Sequence, residues 1–177
     1  MINSTWYTAV KMATLAGLNQ KLKINLEANS MNISDILTDK SFFLGIRANN
    51  KREFLQELSN RAAELTGLDS RTIFETFLER ENLGSTGFGG GTALPHGRFE
   101  GLEKVYAIFA KPSNPLDFDA IDNKPVDMAF ALLSPEDSGA DHLTALAKLS
   151  RILKDESLCK KLRQIHRPIE IFALINE

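Results

Sequence analysis

The sequence predicts a mixed α/β domain, and three observations carry that prediction. Short β-prone runs alternate with segments of helical periodicity, and several of those segments open on helix-capping residues. The chain, 177 residues with 43% apolar and 25% charged side chains, has the size and composition of one hydrophobic core. The first strand is "FFLGIRA" (42–48). It leads into "NNKREFLQELSNRAAEL", where Asn50 and Glu53 stand at the spacing of a capping box and Phe54, Leu58, Ala62 and Leu65 recur on one helical face. "DSRTIFETFLEREN" repeats the pattern. Asp69 or Ser70 is its cap, Ile73, Phe74, Phe77 and Leu78 form its apolar face, and Gly84 stands where the helix should stop.

Further on, "KVYAIFA" (104–110) and "VDMAFALL" (126–133) read as strands, with "DNKP" supplying turn chemistry between them. "ADHLTALAKLSRILKD", "ESLCKKLRQ" and "PIEIFALINE" read as helices, the last opened by Pro168 in its first turn. The single cysteine, Cys159, lies between Leu158 and Leu162 in a helical pattern and reads as a small buried hydrophobe.

Charge excludes several function classes. Lysine plus arginine number 21 against 23 aspartate plus glutamate, a net charge of −2, so no general attraction to nucleic acid or anionic lipid is expected. No apolar run is long enough to suggest a membrane span, and the start lacks the pattern of a secretory signal, so membrane insertion is not expected and the expected location is the cytoplasm. Residues 1–30 differ in composition, with three lysines and one glutamate, and only a weak amphipathic pattern through Trp6, Val10 and Ala13. They read as an N-terminal extension outside the domain at 31–177, with Met31 an alternative start.

The stretch "GSTGFGGGTALPHGR" (84–98) holds six glycines in fifteen residues and then a lone histidine. It lacks the "GK[ST]" ending of a P-loop, and its glycines follow a helix and precede Pro95, against the strand, glycine, helix order of a dinucleotide fingerprint. Two other uses remain. Successive N–H groups could form a nest for an anion, with Ser85, Thr86 and Thr92 adding hydroxyl donors. Pro95 fixes the backbone before His96 and Gly97 frees it after, which presents an imidazole able to act as a nucleophile near neutral pH. The plain alternative is a surface histidine beside a turn.

Two residues argue against that alternative. In a helix over 139–154, His142 shares a face with Leu146, Leu149 and Leu153 and points inward, either as a core histidine bonded to a carbonyl or as a second imidazole beside His96. Arg80 precedes the glycines and could fork onto phosphate oxygens, though a solvated helix-end arginine is the commoner case. His166 has no such company and reads as surface.

"RENLGSTGFGGGTALPHGR", then "PLDFDAIDNKPVDMAFALLSPE", then "HLTALAKLSRIL" resemble the mannitol/fructose-type enzyme IIA domains of the bacterial phosphotransferase system, most of all the stand-alone nitrogen-regulatory IIA proteins. The resemblance covers about residues 31–177. It implies a single compact domain with a mixed β-sheet flanked by helices, and a phosphotransferase component that works without cofactor or metal. On it, His96 falls on the histidine phosphorylated at Nε2 by an HPr-type phosphocarrier, His142 on the second active-site histidine, and Arg80 on the phosphate-supporting arginine. Phe88 and Leu94 would then suit docking of the small carrier, or serve as core. Stand-alone regulatory members control partners such as potassium-transport or sensor-kinase components. The alternatives are a sugar-specific enzyme IIA passing phosphate to a IIB component, and a protein-binding module that is not phosphorylated.

Overall fold

The computed structural model describes residues 31–176, so the expectations for residues 1–30 lie outside the described residues. The elements run α1 (Ile33–Ile36), β1 (Phe42–Ile46), α2 (Lys51–Thr66), α3 (Ser70–Asn82), β2 (Gly87–Gly89), β3 (Thr92–Ala93), β4 (His96–Phe99), β5 (Tyr106–Pro112), β6 (Met128–Pro135), α4 (Gly139–Lys154), α5 (Glu156–Gln164) and α6 (Pro168–Ile175). The helix signals act where the sequence puts them. Asn50 caps α2 by accepting the Glu53 N–H at 2.9 Å, and the Glu53 carboxylate returns to the N–H of Asn49, one residue earlier than a capping box requires. Asp69 caps α3 through the Thr72 N–H, and Pro168 opens α6.

The strands form one mixed sheet in the order β1-β5-β6-β3-β2, with β4 also paired to β6. β1 and β5 are parallel, and β5 and β6 antiparallel. β3 and β4 are two pieces lying parallel to β6, Ala93 opposite Ala129 and His96 opposite Leu132. The gap between them is Leu94–Pro95. Proline has no N–H to give a ladder, and here the Leu94 N–H turns away to the Thr86 carbonyl while the Pro95 carbonyl still accepts the Leu132 N–H, each at 2.9 Å.

All eight residues of β6 are buried, as expected of a strand covered on both faces. Ala129, Ala131 and Leu133, with Ile108 and Phe99, face α2 and α3, where the Phe77 and Phe99 rings meet edge-on at 5.9 Å. The opposite face carries a chain of rings from Phe130 through Phe109 and Phe42 to Phe172 of α6, at centroid separations of 5.2, 6.0 and 6.0 Å. Each such side chain, fully buried, contributes about 1.5–3 kcal/mol.

The glycine run is where the sequence reading needs correction. It contributes three short strands instead of one loop, and residues Gly89, Gly90 and Gly91, all at positive φ, make the turn between β2 and β3. Strand β6 also begins two residues later than the apolar pattern does. Val126 pairs instead with Leu116, and the Asp127 N–H goes to the Gly91 carbonyl.

Gly87 is required by contact. A Cβ there would lie 2.8 Å from both Cα and Cβ of Ala120, so the loop and β2 would have to part. Gly87→Ala is expected to cost about 1–3 kcal/mol of unfolding free energy in urea titrations, the range of an overpacked core site; an unchanged midpoint would refute the close approach.

Candidate active site

The fold brings Arg80, His96 and His142 together from three elements. His96 opens β4 directly after the Pro95 break, so its ring stands at a strand end next to an open groove of about 390 Å³ lined also by Arg80, Phe88, Leu94, Leu143 and Leu146. Phe88 is half-buried, with the Lys154 ammonium 5.7 Å from its ring centre, whereas Leu94 is buried.

The hydrogen bonds of His96 assign its protons. Nδ1 lies 2.8 Å from the Leu94 carbonyl oxygen, which can only accept, so Nδ1 carries the hydrogen. Nε2 lies 3.0 Å from Arg80 Nε, which can only donate, so Nε2 presents its lone pair. The neutral ring therefore has its nucleophilic nitrogen under a guanidinium. Arg80, in the last turn of α3, also donates from Nη1 to the Gly84 carbonyl at 2.9 Å, which fastens it to the exit of its own helix.

His142, in the first turn of α4, is buried, and its ring centre is 6.0 Å from that of His96 with the planes inclined at 52°. Its Nδ1 is 2.9 Å from Ser134 Oγ on β6. The carbonyl bond of the core-histidine alternative is thus replaced by one to a hydroxyl, and the ring stands beside His96. The remaining histidine, His166, is exposed, and Cys159 is buried, with burial pushing its thiol pKa up.

The loop before His96 departs from the anion-nest reading. The Gly90 N–H donates to the Asp122 carboxylate at 2.8 Å, and the Gly90 carbonyl accepts from Arg163. The three hydroxyls are also committed, Ser85 to the Phe118 carbonyl, Thr86 to Glu81 and Thr92 to the Gly89 carbonyl. One N–H of the run, that of Gly90, thus binds the chain's own carboxylate. Gly97, read as a pivot, is a strand residue with φ outside the left-handed region; a Cβ there would fall 2.8 Å from Thr76 Cγ2 and 2.9 Å from the Phe99 ring, so glycine lets α3 approach β4.

Sequence reasoning missed Glu81 and Ser134. The Glu81 carboxylate is buried and accepts the Thr86 N–H at 3.0 and 3.1 Å, the Thr86 hydroxyl at 2.5 Å and the Lys51 ammonium at 3.2 Å. Burial alone would lower the Lys51 pKa, but its bonds to Asp119 and Glu81 outweigh that and hold it raised. Glu81 follows Phe74 and Phe77 at helical spacing on the buried face of α3, so the period could have placed it inward without saying what it holds, and Ser134 ends an apolar run. Among the described residues, no group of three histidine, cysteine or carboxylate side chains is placed to hold a metal ion.

Burial pushes the pKa of His96 below the usual imidazole value; the Leu94 carbonyl opposes this, Arg80 adds to it and Glu81 opposes it. Burial, then Arg98, then His96 lower that of His142. Both rings are thus held neutral in the folded chain at pH values where the unfolded chain, titrating near about 6.5, begins to bind protons. The unfolded state then binds more protons, so stability falls as pH drops below about 7, by at most about 1.4 kcal/mol per pH unit for each ring, and levels off once the folded pKa values are passed. Urea titrations between pH 7.5 and 5.5 should show this slope, and the double variant His96→Asn, His142→Asn should flatten it. An equally steep double variant would assign the slope elsewhere.

The chain belongs to the enzyme IIA family described as "Phosphoenolpyruvate-dependent sugar phosphotransferase system, EIIA 2", whose model matches residues 35–177. It is 43% identical over 145 residues to a nitrogen regulatory protein of Bradyrhizobium diazoefficiens, covering 82% of this chain and 95% of that one. Among solved structures it is similar to nitrogen regulatory protein IIA-Ntr of Neisseria meningitidis, with a TM-score of 0.76 and 33% identity over 81% of this chain and 98% of the other. It shares its fold with mannitol IIA of Escherichia coli, at a TM-score of 0.65 and 21% identity over 78% of this chain and 98% of that one. Mixed sheet and flanking helices are therefore those of the family. Among the described residues no helix is long and apolar enough to cross a membrane.

Proposed function

We propose that this chain is a regulatory phosphohistidine carrier of a nitrogen-related phosphotransferase system. It accepts a phosphoryl group on His96 Nε2 from an HPr-type phosphocarrier in the cytoplasm and controls partner proteins through its phosphorylation state, with residues 31–177 as the carrier domain and residues 1–30 as an extension. The observation that carries the reading is the proton assignment of His96. With Nδ1–H held by Leu94, Nε2 is the ring nitrogen that keeps a lone pair, with the Arg80 guanidinium as its hydrogen-bond donor, and His96 lines the groove.

In the transfer, the Nε2 lone pair forms a bond to phosphorus as the donor's N–P bond breaks and its electron pair returns to the donor imidazole. The ring of His96 gains positive charge, which the Leu94 carbonyl stabilises through Nδ1–H. Arg80 moves its guanidinium from Nε2 to the phosphoryl oxygens, and His142 offers a second donor. Such a loose, charge-spread transition state needs positioning and electrostatic donors more than covalent machinery. The regulatory branch is supported by the relatives named nitrogen regulatory protein.

The test is to incubate the protein with phosphoenolpyruvate, enzyme I and an HPr-type carrier, then map the acid-labile phosphate by mass spectrometry. Phosphate on the imidazole of His96 is expected. Phosphate on another residue would overturn the assignment, a folded chain that binds partners but takes none would be a binding module, and donation to a IIB component with sugar uptake would make it a sugar-specific IIA.

A further inference from the structure

Ser134 is the next-to-last residue of β6, two residues beyond Leu132, the register partner of His96, and opposite Arg98. Its side chain therefore stands on the sheet face that carries His96, and α4 lays His142 over it. The residue is fully buried, and Nδ1 of His142, at 2.9 Å, is the one partner its hydroxyl has among the described residues. Among the described residues no hydrogen bond engages Nε2 of His142 and no fully buried side-chain nitrogen or oxygen lacks a partner, so Nε2 is not sealed from solvent, and its ring centre is 6.0 Å from that of His96.

A hydroxyl with one partner settles the tautomer of the ring. If Nδ1 carried the proton, Ser134 would accept it and its own O–H would be buried with no acceptor, a loss a buried donor does not tolerate well. If Ser134 donates to Nδ1, the hydroxyl proton is satisfied and the imidazole proton sits on Nε2. Burial and the nearby Arg98 keep the ring neutral, so the choice lies between these two tautomers. We propose that Ser134 is a positioning residue that fixes His142 as its Nε2–H tautomer, making the second imidazole a hydrogen-bond donor toward a group carried on His96 Nε2.

The two histidines then hold opposite tautomers. His96 is Nδ1–H through Leu94 and offers a lone pair; His142 is Nε2–H through Ser134 and offers a hydrogen. A lone pair on both would repel an incoming phosphoryl oxygen, whereas one nucleophile and one donor fit it. The functional half of this inference rests on the phosphocarrier reading; the tautomer itself does not.

Long-range ¹H–¹⁵N spectra of the full ¹⁵N-labelled chain at pH 7.5 test it, with His96 as the internal example of the other tautomer. His142 is expected to show protonated Nε2 and bare Nδ1, and Ser134→Ala to convert it to a mixture while circular dichroism stays unchanged. With phosphorylated HPr-type carrier as donor, Ser134→Ala should slow transfer roughly tenfold, the scale of one hydrogen bond. In a His142→Ala background the same change should do nothing further, since it acts through that ring. A wild-type His142 protonated on Nδ1 overturns the proposal whatever phosphorylation does. So does a Ser134→Ala effect that persists without His142. If His96 takes no phosphate the carrier reading falls, and the spectra still decide the tautomer.

Discussion

Replacing His96 by alanine is expected to abolish incorporation of acid-labile phosphate and leave a folded protein. Under the proposed transfer the loss is complete, because the change removes the atom that would form the bond, not a group that lowers its barrier. Neither His142 nor Cys159 is placed to take over. His142 is buried with one nitrogen tied to Ser134, and its ring centre is 6.0 Å away. Cys159 is buried between α4 and α5, where its thiol lies near the carbonyls of Ile152 and Leu153. The fold should hold, since His96 is a half-buried ring making two hydrogen bonds, and their loss costs about 1–3 kcal/mol. His142→Ala, by contrast, keeps the acceptor and should slow transfer or shorten the life of the phosphoprotein by roughly 10–100-fold, less than or equal to the loss of one donor at a preorganised site. Label from phosphoenolpyruvate, passed through enzyme I and an HPr-type carrier, distinguishes the two; label that survives in His96→Ala would remove this histidine from the mechanism.

The sequence made the helices legible because their ends are chemical. Asn50, Asp69 and Pro168 cap or open α2, α3 and α6 as local residues, independent of the rest of the fold. The glycine run was not legible as strands, because period-2 alternation needs side chains and "GFGGG" has one. Its pairing is imposed from outside, by β6 on one side and by the Asp127–Arg163 pair that grips the Gly90–Gly91 turn. The same division holds at the site. Arg80, His96 and His142 carry chemistry in their own side chains and could be picked out singly. Ser134 and Leu94 matter only through which atom they touch, and a carbonyl or a buried hydroxyl leaves no mark in a sequence. His142 was read as inward-facing from spacing alone, and it is; what it faces came from the register of β6 against β4.

Glu81→Ala should be the most destabilising single change near the site and should also cripple transfer, though Glu81 has no contact with the groove's contents. Its buried carboxylate holds the Thr86 N–H and hydroxyl together with Lys51. Lys51 keeps Asp119 and the Phe118 carbonyl as partners, so it is not stranded; the Thr86 N–H and hydroxyl are. Leaving the two buried Thr86 donors without an acceptor costs about 1–3 kcal/mol each, a large share of the roughly 5–15 kcal/mol that keeps a domain folded. Glu81→Gln keeps the shape and one acceptor but turns an amide toward a donor, and should cost about 1–3 kcal/mol. The effect reaches His96 along the main chain. Thr86 accepts the Leu94 N–H at 2.9 Å, and the Leu94 carbonyl fixes Nδ1–H of His96, so a loosened Thr86 loosens the proton that keeps Nε2 nucleophilic. Arg80, the residue before Glu81, is disturbed with it. Glu81→Gln is therefore expected to unfold at lower urea and, under conditions where it is still fully folded, to accept phosphate roughly tenfold more slowly. A variant that loses stability but transfers at the wild-type rate would show that Glu81 supports the fold alone and that the Thr86–Leu94 link does not govern the imidazole.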